Sequence, residues 1–289
     1  MTNRHQSETN SAKSASAGKA GEAVAPRVAS VTPAGTDLLI GIGAGDHLVG
    51  VSNYDDAREG TADKPRVGDY QNIDWEKLSP LGAQILIVFY AADRIPPALQ
   101  ERCDAQGIKI VNVKLETLDN IYSETARLAE AVGEVEKGRR AVEALKAKLA
   151  EVAARVAGRA RPRAILVISD SGSSLAGPGT FLDELLAIAG GRNALSGPGP
   201  LYRDVDREAM RAMMPEVVLQ LIPDGDRTPQ VMKQARAFWD SMPELPAVKN
   251  HRVYVLTDWY SLQPGFRVVQ LAERFADILH PRGEAQTKP

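Results

Sequence analysis

The feature that most restricts how this chain folds is an internal repeat. Tyr70-Gln-Asn-Ile-Asp74-Trp-Glu76 returns as Tyr202-Arg-Asp-Val-Asp206-Arg-Glu208, a constant offset of 132 residues. The offset runs on without a gap into an apolar run, where Ile85-Leu86-Ile87 falls on Val217-Val218-Leu219. A second parallel sets Thr36, read as the cap of a helix ending at Gly43, beside Thr180, whose helix ends at Gly190-Gly191. Loop, helix and strand recur in one order, which suggests two similar units on one plan.

Within each unit, short apolar runs alternate with helical stretches. Val28 to Val31, Leu48 to Ser52, Ile85 to Tyr90 and Ile108 to Val113 read as strands, with helices over Thr36 to Ile42 and Pro97 to Gln106. Asp37 then falls in a first helical turn, where the dipole favours an acid. After Pro162 the alternation restarts: strand Ala164 to Ser169, a Gly/Ser-rich loop Ser171 to Gly179 and helix Phe181 to Ala189. Strands Val217 to Ile222 and Val253 to Leu256 and a closing helix Phe266 to Leu279 follow. Such alternation indicates largely parallel sheets.

Between the units, Val135, Val142, Leu145, Leu149, Val152 and Val156 recur at spacings 7, 3, 4, 3 and 4. One apolar seam ringed by charge predicts an amphipathic helix from Glu134 to Ala157, about 36 Å long, bounded by Gly133 and Gly158. The expected fold class is α/β: two similar lobes joined by a single long backbone helix, with a ligand cleft between them. The boundaries are a disordered tail over 1–26, an N-terminal lobe over 27–132 and the connecting helix over 133–158. A C-terminal lobe over 162–281 and a tail over 282–289 complete it.

Several functions are excluded by composition. With 35 Lys+Arg against 37 Asp+Glu, the net charge of −2 lacks the basic excess of a general nucleic-acid binder. Cys103 is the only cysteine and reads as a buried thiol, so no disulfide or multi-Cys metal site forms within the chain. His5, His47, His251 and His280 are scattered without ligand spacing, so no metal site and no resident cofactor are expected. No run reaches the roughly 18 apolar residues of a membrane span. Residues 1–26 also lack the apolar core of an export signal.

Enzyme motifs fail when tested. Gly41-Ile-Gly43-Ala-Gly45 follows a helix rather than a strand and has Asp46 next, so it is not a dinucleotide fingerprint. Gly133 to Gly138 is followed by Arg139 at a helix start and is no P-loop. Gly172-Ser-Ser174-Leu-Ala176 misses the last glycine of a nucleophile elbow. The expectation is a protein without catalytic residues.

The aromatics carry more information. They are only 5% of the chain, yet Tyr54, Tyr70, Phe89, Tyr90, Tyr202 and the Trp259-Tyr260 pair after Asp258 all fall in loops that follow strands or precede helices. Parallel sheets place such loops at the carboxyl ends of strands, where ligands bind. Rings there suit a flat or apolar ligand. Glu76 and Glu208, equivalent in the repeat and each in a first helical turn, make two matched anionic points suited to basic pockets on a two-fold partner.

These residues resemble the substrate-binding proteins of ABC importers whose two lobes are joined by one long helix and which bind vitamin B12, ferric siderophores or haem. The likeness runs from about Arg27 to Pro281. It rests on the opening Val-Ala-Ser-Val-Thr-Pro-Ala-Gly-Thr36-Asp-Leu-Leu, on Gly43-Ala-Gly45-Asp-His-Leu-Val-Gly50, and on Val67-Gly68-Asp-Tyr70 leading to Trp75-Glu76. Ala176-Gly-Pro-Gly-Thr180 and Ala189-Gly-Gly-Arg-Asn193 complete it. The resemblance implies that Glu76 and Glu208 dock onto permease arginines. It also implies that Tyr54, Tyr70, Phe89, Tyr90, Tyr202, Asp258, Trp259 and Tyr260 surround the ligand.

Tyrosine or phenylalanine stands at Tyr70, Phe89 and Tyr202 where vitamin B12 binders have tryptophan, which admits a smaller or more polar ligand. Arg94, Arg203 and Arg267 are too dispersed to mark an anionic siderophore. The implied protein is a monomer outside the cytoplasmic membrane that passes a metal chelate such as cobalamin to an ABC permease. A ferric siderophore or haem is the alternative cargo. With no export signal visible, a cytoplasmic chelate chaperone or enzyme on the same fold is the alternative class.

Overall fold

The computed structural model describes residues 25–55, 60–90, 94–223 and 229–281; nearly all of both expected tails lies outside them. In the first half, β1 (Val28–Ser30), α1 (Pro33–Ile42), β2 (Leu48–Gly50), α2 (Trp75–Leu78), β3 (Ile85–Val88), α3 (Pro97–Ala105) and β4 (Lys109–Asn112) build one sheet. Its order is β2-β1-β3-β4, and every pairing is parallel. All four residues of β3 are buried, as a strand covered on both faces requires. Two helices follow, α4 (Leu118–Ala131) and α5 (Val135–Val156).

The second half contains β5 (Arg163–Val167), β6 (Ser174–Ala176), α6 (Phe181–Ile188), β7 (Arg192–Asn193), β8 (Tyr202–Asp204) and α7 (Arg207–Met213). After these come β9 (Val217–Leu221), α8 (Pro229–Asp240), α9 (Pro246–Lys249), β10 (Val253–Leu256) and α10 (Val268–Leu279). The sheet order is β10-β9-β5-β6-β8, with β7 beside β5. Strand register gives the repeat a geometric form. Ile85 of β3 pairs with Val28 of β1, and Val217 of β9, 132 residues on, pairs with Ala164 of β5. On the other flank Leu86 opposes Ile110 and Val218 opposes Val253. Thus β1-β3-β4 and β5-β9-β10 are the same three-strand unit.

Some local expectations are corrected. Thr36 does not cap α1. Pro33, whose fixed φ suits a first helical position and whose missing N–H is not needed there, starts the helix one turn earlier, after an extended Thr32. Thr36 is instead buried and donates from Oγ1 to Asp55 Oδ2 at 2.9 Å. It is therefore no counterpart of Thr180, which does cap its helix by accepting from Asp183 N. Nor is Asp37 in the first turn of α1. The stretch 171–179 is not all loop: β6 within it pairs antiparallel with both β5 and β8, so the second sheet is mixed and Tyr202 lies on a strand.

The strut helix α5 buries Gly138, Leu145, Leu149, Val152 and Val156. Val135, the expected start of its seam, is 56% exposed; burial on the helix begins at Gly138, which packs against Ala129 of α4. The buried face packs on α1 and α4 of the first half and on α6 and α10 of the second. One apolar cluster therefore runs through the helical layer shared by both halves.

The chain crossing through α5 is not the only tie. Pro33, Asp37 and Gly41 stand four residues apart on α1, hence on one face. All three meet the segment before α10. Gln263 Nε2 donates to Pro33 O at 2.7 Å, and Phe266 N donates to Asp37 Oδ2 at 2.6 Å. The Phe266 ring lies so close over Gly41 that a Cβ there would sit 2.1 Å from Cδ2. At the far side Leu118 N donates to Glu184 Oε2 and Phe181 N to Glu116 O, both at 2.6 Å.

Candidate functional site

Both sheets deliver their strand carboxyl ends to one cleft of about 390 Å³. Tyr54, following β2, and Phe89, directly after β3, enter from the first half. Trp259, following β10, and Pro223, following β9, enter from the second. Pro33 and Gln263, the hydrogen-bonded pair that crosses between halves, also line it. Tyr54 and Phe89 are 60% and 41% exposed, an unusual state for large rings, which leaves their faces open to a ligand. No charged side chain is among the described residues that line the cleft.

Trp259 is supported from behind. The Tyr260 ring meets it edge-on at 5.6 Å, and the Arg267 guanidinium stands 5.7 Å from its centroid. Arg267 is also 3.9 Å from the buried Asp37 carboxylate, so the cleft wall and the seam between halves share a side chain. Partial burial, then the Asp258 carboxylate, raises the Tyr260 phenol above its ordinary range. The Asp258 carbonyl accepts from Ser261 N at 2.9 Å, which closes the turn that carries Trp259 and Tyr260.

The other expected ligand residues stand apart from this cleft. Tyr90 is a brace: its N–H donates to Asn112 Oδ1, its carbonyl accepts from Asn112 Nδ2, and its hydroxyl donates to Tyr70 O at 2.8 Å. Burial raises its phenol. Tyr70 sits in a turn in which Asp69 accepts from Gln71 N and Asn72 N; these N–H groups, Asn72 first, hold the Asp69 carboxyl below its usual range. Tyr202 lies opposite Ala176 at the edge of the second sheet. Partial burial and then the Glu116 carboxylate of the first half raise its phenol.

Glu76 and Glu208 occupy equivalent, exposed positions in the first turns of α2 and α7. Each follows an aspartate cap: Asp74 Oδ1 accepts from Lys77 N at 3.1 Å, and Asp206 Oδ1 accepts from Ala209 N at 2.8 Å. Elsewhere Cys103 is fully buried, and burial pushes its thiol up to about 11. Among the described residues no group of three or more His, Cys, Asp or Glu is placed to hold a metal ion. No described helix is long and apolar enough to cross a membrane.

Sequence reasoning missed Asp37, Gln263 and Phe266, which join the halves beside the cleft. A signal was present at Asp37, an acid on the apolar face of Thr36-Asp37-Leu38-Leu39-Ile40. A charge at such a position needs a partner from elsewhere in the fold.

Comparison with known proteins agrees with this geometry. The model of the family described as "Periplasmic binding protein" matches residues 28–260. A vitamin B12-binding protein of Photorhabdus laumondii is 25% identical over 257 residues, 89% of either chain. Among solved structures, the periplasmic vitamin B12-binding protein BtuF of Vibrio cholerae superposes with a TM-score of 0.71 at 24% identity, covering 88% of this chain and 96% of that one. A periplasmic haem-binding protein of Pseudomonas aeruginosa reaches 0.75 at 21% identity, covering 90% and 95%. With the matched span running from the first strand to the aromatic pair beside the cleft, this chain belongs to the periplasmic binding protein family.

Proposed function

We propose that the protein captures a ring-shaped metal chelate, a corrinoid in the first place, in the cleft between its halves and delivers it unchanged to the permease of an ABC importer outside the cytoplasmic membrane. The observation that carries this reading is the convergence of Tyr54, Phe89 and Trp259, drawn from both halves, on one cleft whose described lining is uncharged. Rings presented from opposite sides bind a flat ligand by face and edge contacts, each worth about 0.5–1.5 kcal/mol beyond area burial. A corrinoid with its side chains overfills 390 Å³, so Tyr70 and Tyr202, equivalent in the repeat, serve as outer contacts. Tyr90, Tyr260 and Asp258 act through the rings and turns that they hold.

The lobes are residues 27–132 and 162–281, and the protein works as a monomer without catalysing a reaction. Glu76 and Glu208 engage basic pockets on the permease. Haem is the second reading, favoured by the exposed Tyr54 phenol in the cleft, since phenolate is an established haem-iron ligand. A ferric siderophore of anionic type is less well served by the described lining, which holds no charged side chain. Calorimetric titration with cyanocobalamin, haemin and a ferric catecholate decides among them. Binding of none, or turnover of any, overturns the proposal.

A further inference from the structure

Beside each tip glutamate lies a cation over an aromatic ring, with the two partners exchanged between halves. In the first half Trp75, the residue before Glu76, lies under the Arg102 guanidinium of α3, 4.5 Å from its centroid. In the second half the residue before Glu208 is Arg207, and its guanidinium lies 5.0 Å from the ring of Phe238 on α8. Positions 75 and 207 are 132 apart. Helices α3 and α8 are equivalent too, since each is the first helix after the equivalent strand, α3 between β3 and β4 and α8, followed by α9, between β9 and β10. The repeat has thus kept the pair while swapping which helix supplies the cation.

Both ring seats are firm. Trp75 packs on the cluster that includes Leu78, Leu99 and Cys103. Phe238 lies against Gly172, where a Cβ would meet its ring at 2.6 Å, and edge-on to Trp239 at 4.9 Å. Trp239 is itself held by a 2.8 Å hydrogen bond from Nε1 to Gln220 Oε1. The tips, in contrast, need support. α2 has four residues and α7 seven, well short of the roughly 12 at which a helix is even marginally stable alone.

We infer that the Trp75–Arg102 and Arg207–Phe238 pairs are positioning clamps that fasten α2 and α7 to their neighbouring helices and so hold Glu76 and Glu208 at a set separation and direction. This rests on the docking role proposed above for the glutamates, but its test does not. A two-point contact needs its points at a defined spacing, because a second contact gains only when the first places it within reach. The cation of each clamp is exposed, so its loss weakens docking by about two- to five-fold, and loss of both by about four- to twenty-five-fold.

The test is the distance distribution between nitroxides at Glu76→Cys and Glu208→Cys; the one native cysteine is buried with a raised thiol pKa and stays unlabelled. The clamped protein gives one narrow peak. Arg102→Gln, Arg207→Gln or Phe238→Leu broadens it, Phe238→Tyr keeps it narrow, and the exchange Trp75→Arg with Arg102→Trp restores the width that Arg102→Gln loses. Cyanocobalamin affinity stays within error throughout, and Arg102→Gln and Arg207→Gln lower the melting temperature by no more than the roughly 1–4 °C that one lost exposed pair accounts for, which separates positioning from general damage. Unchanged widths in all three loss variants, or broadening only in variants that melt earlier than this, overturn the inference. Docking itself is read separately, as permease binding by Glu76→Ala with Glu208→Ala, so a narrow peak with no docking defect refutes the docking role and leaves the clamps standing.

Discussion

Replacing Asp37 by alanine tests whether the seam between the halves matters. The carboxylate is 3% exposed and accepts from Phe266 N at 2.6 Å, so truncation removes a charge-assisted hydrogen bond and leaves a half-buried N–H without its acceptor. That loss amounts to about 1.5–3 kcal/mol. Arg267, 3.9 Å away and 40% exposed, adds under about 1 kcal/mol. Against this, alanine is the better helix former by about 0.6 kcal/mol. The hydrogen bond wins, and a net loss of about 2 kcal/mol is expected.

For a chain of this size that is a fall in melting temperature of about 4–8 °C, read by calorimetry. Asp37→Asn retains an acceptor and is expected to fall by less than half as much. Gly41→Ala perturbs the same residue through its ring: its Cβ would stand 2.1 Å from Phe266 Cδ2, an overpacking cost of about 1–3 kcal/mol. Because both changes act through Phe266, the double variant should lose less than the sum of the two. An Asp37→Ala protein that melts within about 1 °C of the parent, or a strictly additive pair, would refute the reasoning.

Phe89→Ala and Trp259→Ala each remove a ring from the cleft and are expected to weaken cyanocobalamin binding by about 5- to 30-fold by calorimetry, with Tyr70→Ala and Tyr202→Ala smaller in effect. Glu76→Ala with Glu208→Ala should leave that affinity unchanged and weaken permease binding, the difference shrinking as salt is added. His280 is held below the ordinary histidine value, first by burial and then by Arg159. The unfolded chain therefore takes up its proton near pH 6.5 while the folded one resists. Stability is full above pH 6.5 and is lost as pH falls toward the lower folded value, and His280→Gln should flatten that part of a melting-temperature profile.

Local chemistry made much of this fold readable. Thr180 caps its helix, the first turns that carry Glu76 and Glu208 form where the repeat puts them, and the apolar run of β3 reappears as β9, because caps and buried strands are encoded within a few residues. The alternation of Leu145, Leu149, Val152 and Val156 foretold the strut helix for the same reason. Where a neighbouring residue competed, the reading slipped: Pro33 overrode Thr36 as the start of α1, and the serine-rich stretch found a strand partner in β8.

By itself, then, the sequence determined two copies of a parallel α/β unit, the helix between them and the matched glutamates in the first turns of two equivalent helices. Which aromatics meet was decided only by tertiary structure. Tyr54, Phe89 and Trp259 share a cleft while Tyr70, Tyr90 and Tyr202 do not, although in the sequence all read alike as loop aromatics. The same holds for the bond from Gln263 to Pro33, which joins residues 230 positions apart. Loop aromatics carry no periodicity that fixes their direction, so their convergence depends on how two sheets, tied by α5 and the Asp37 seam, turn their strand ends toward each other.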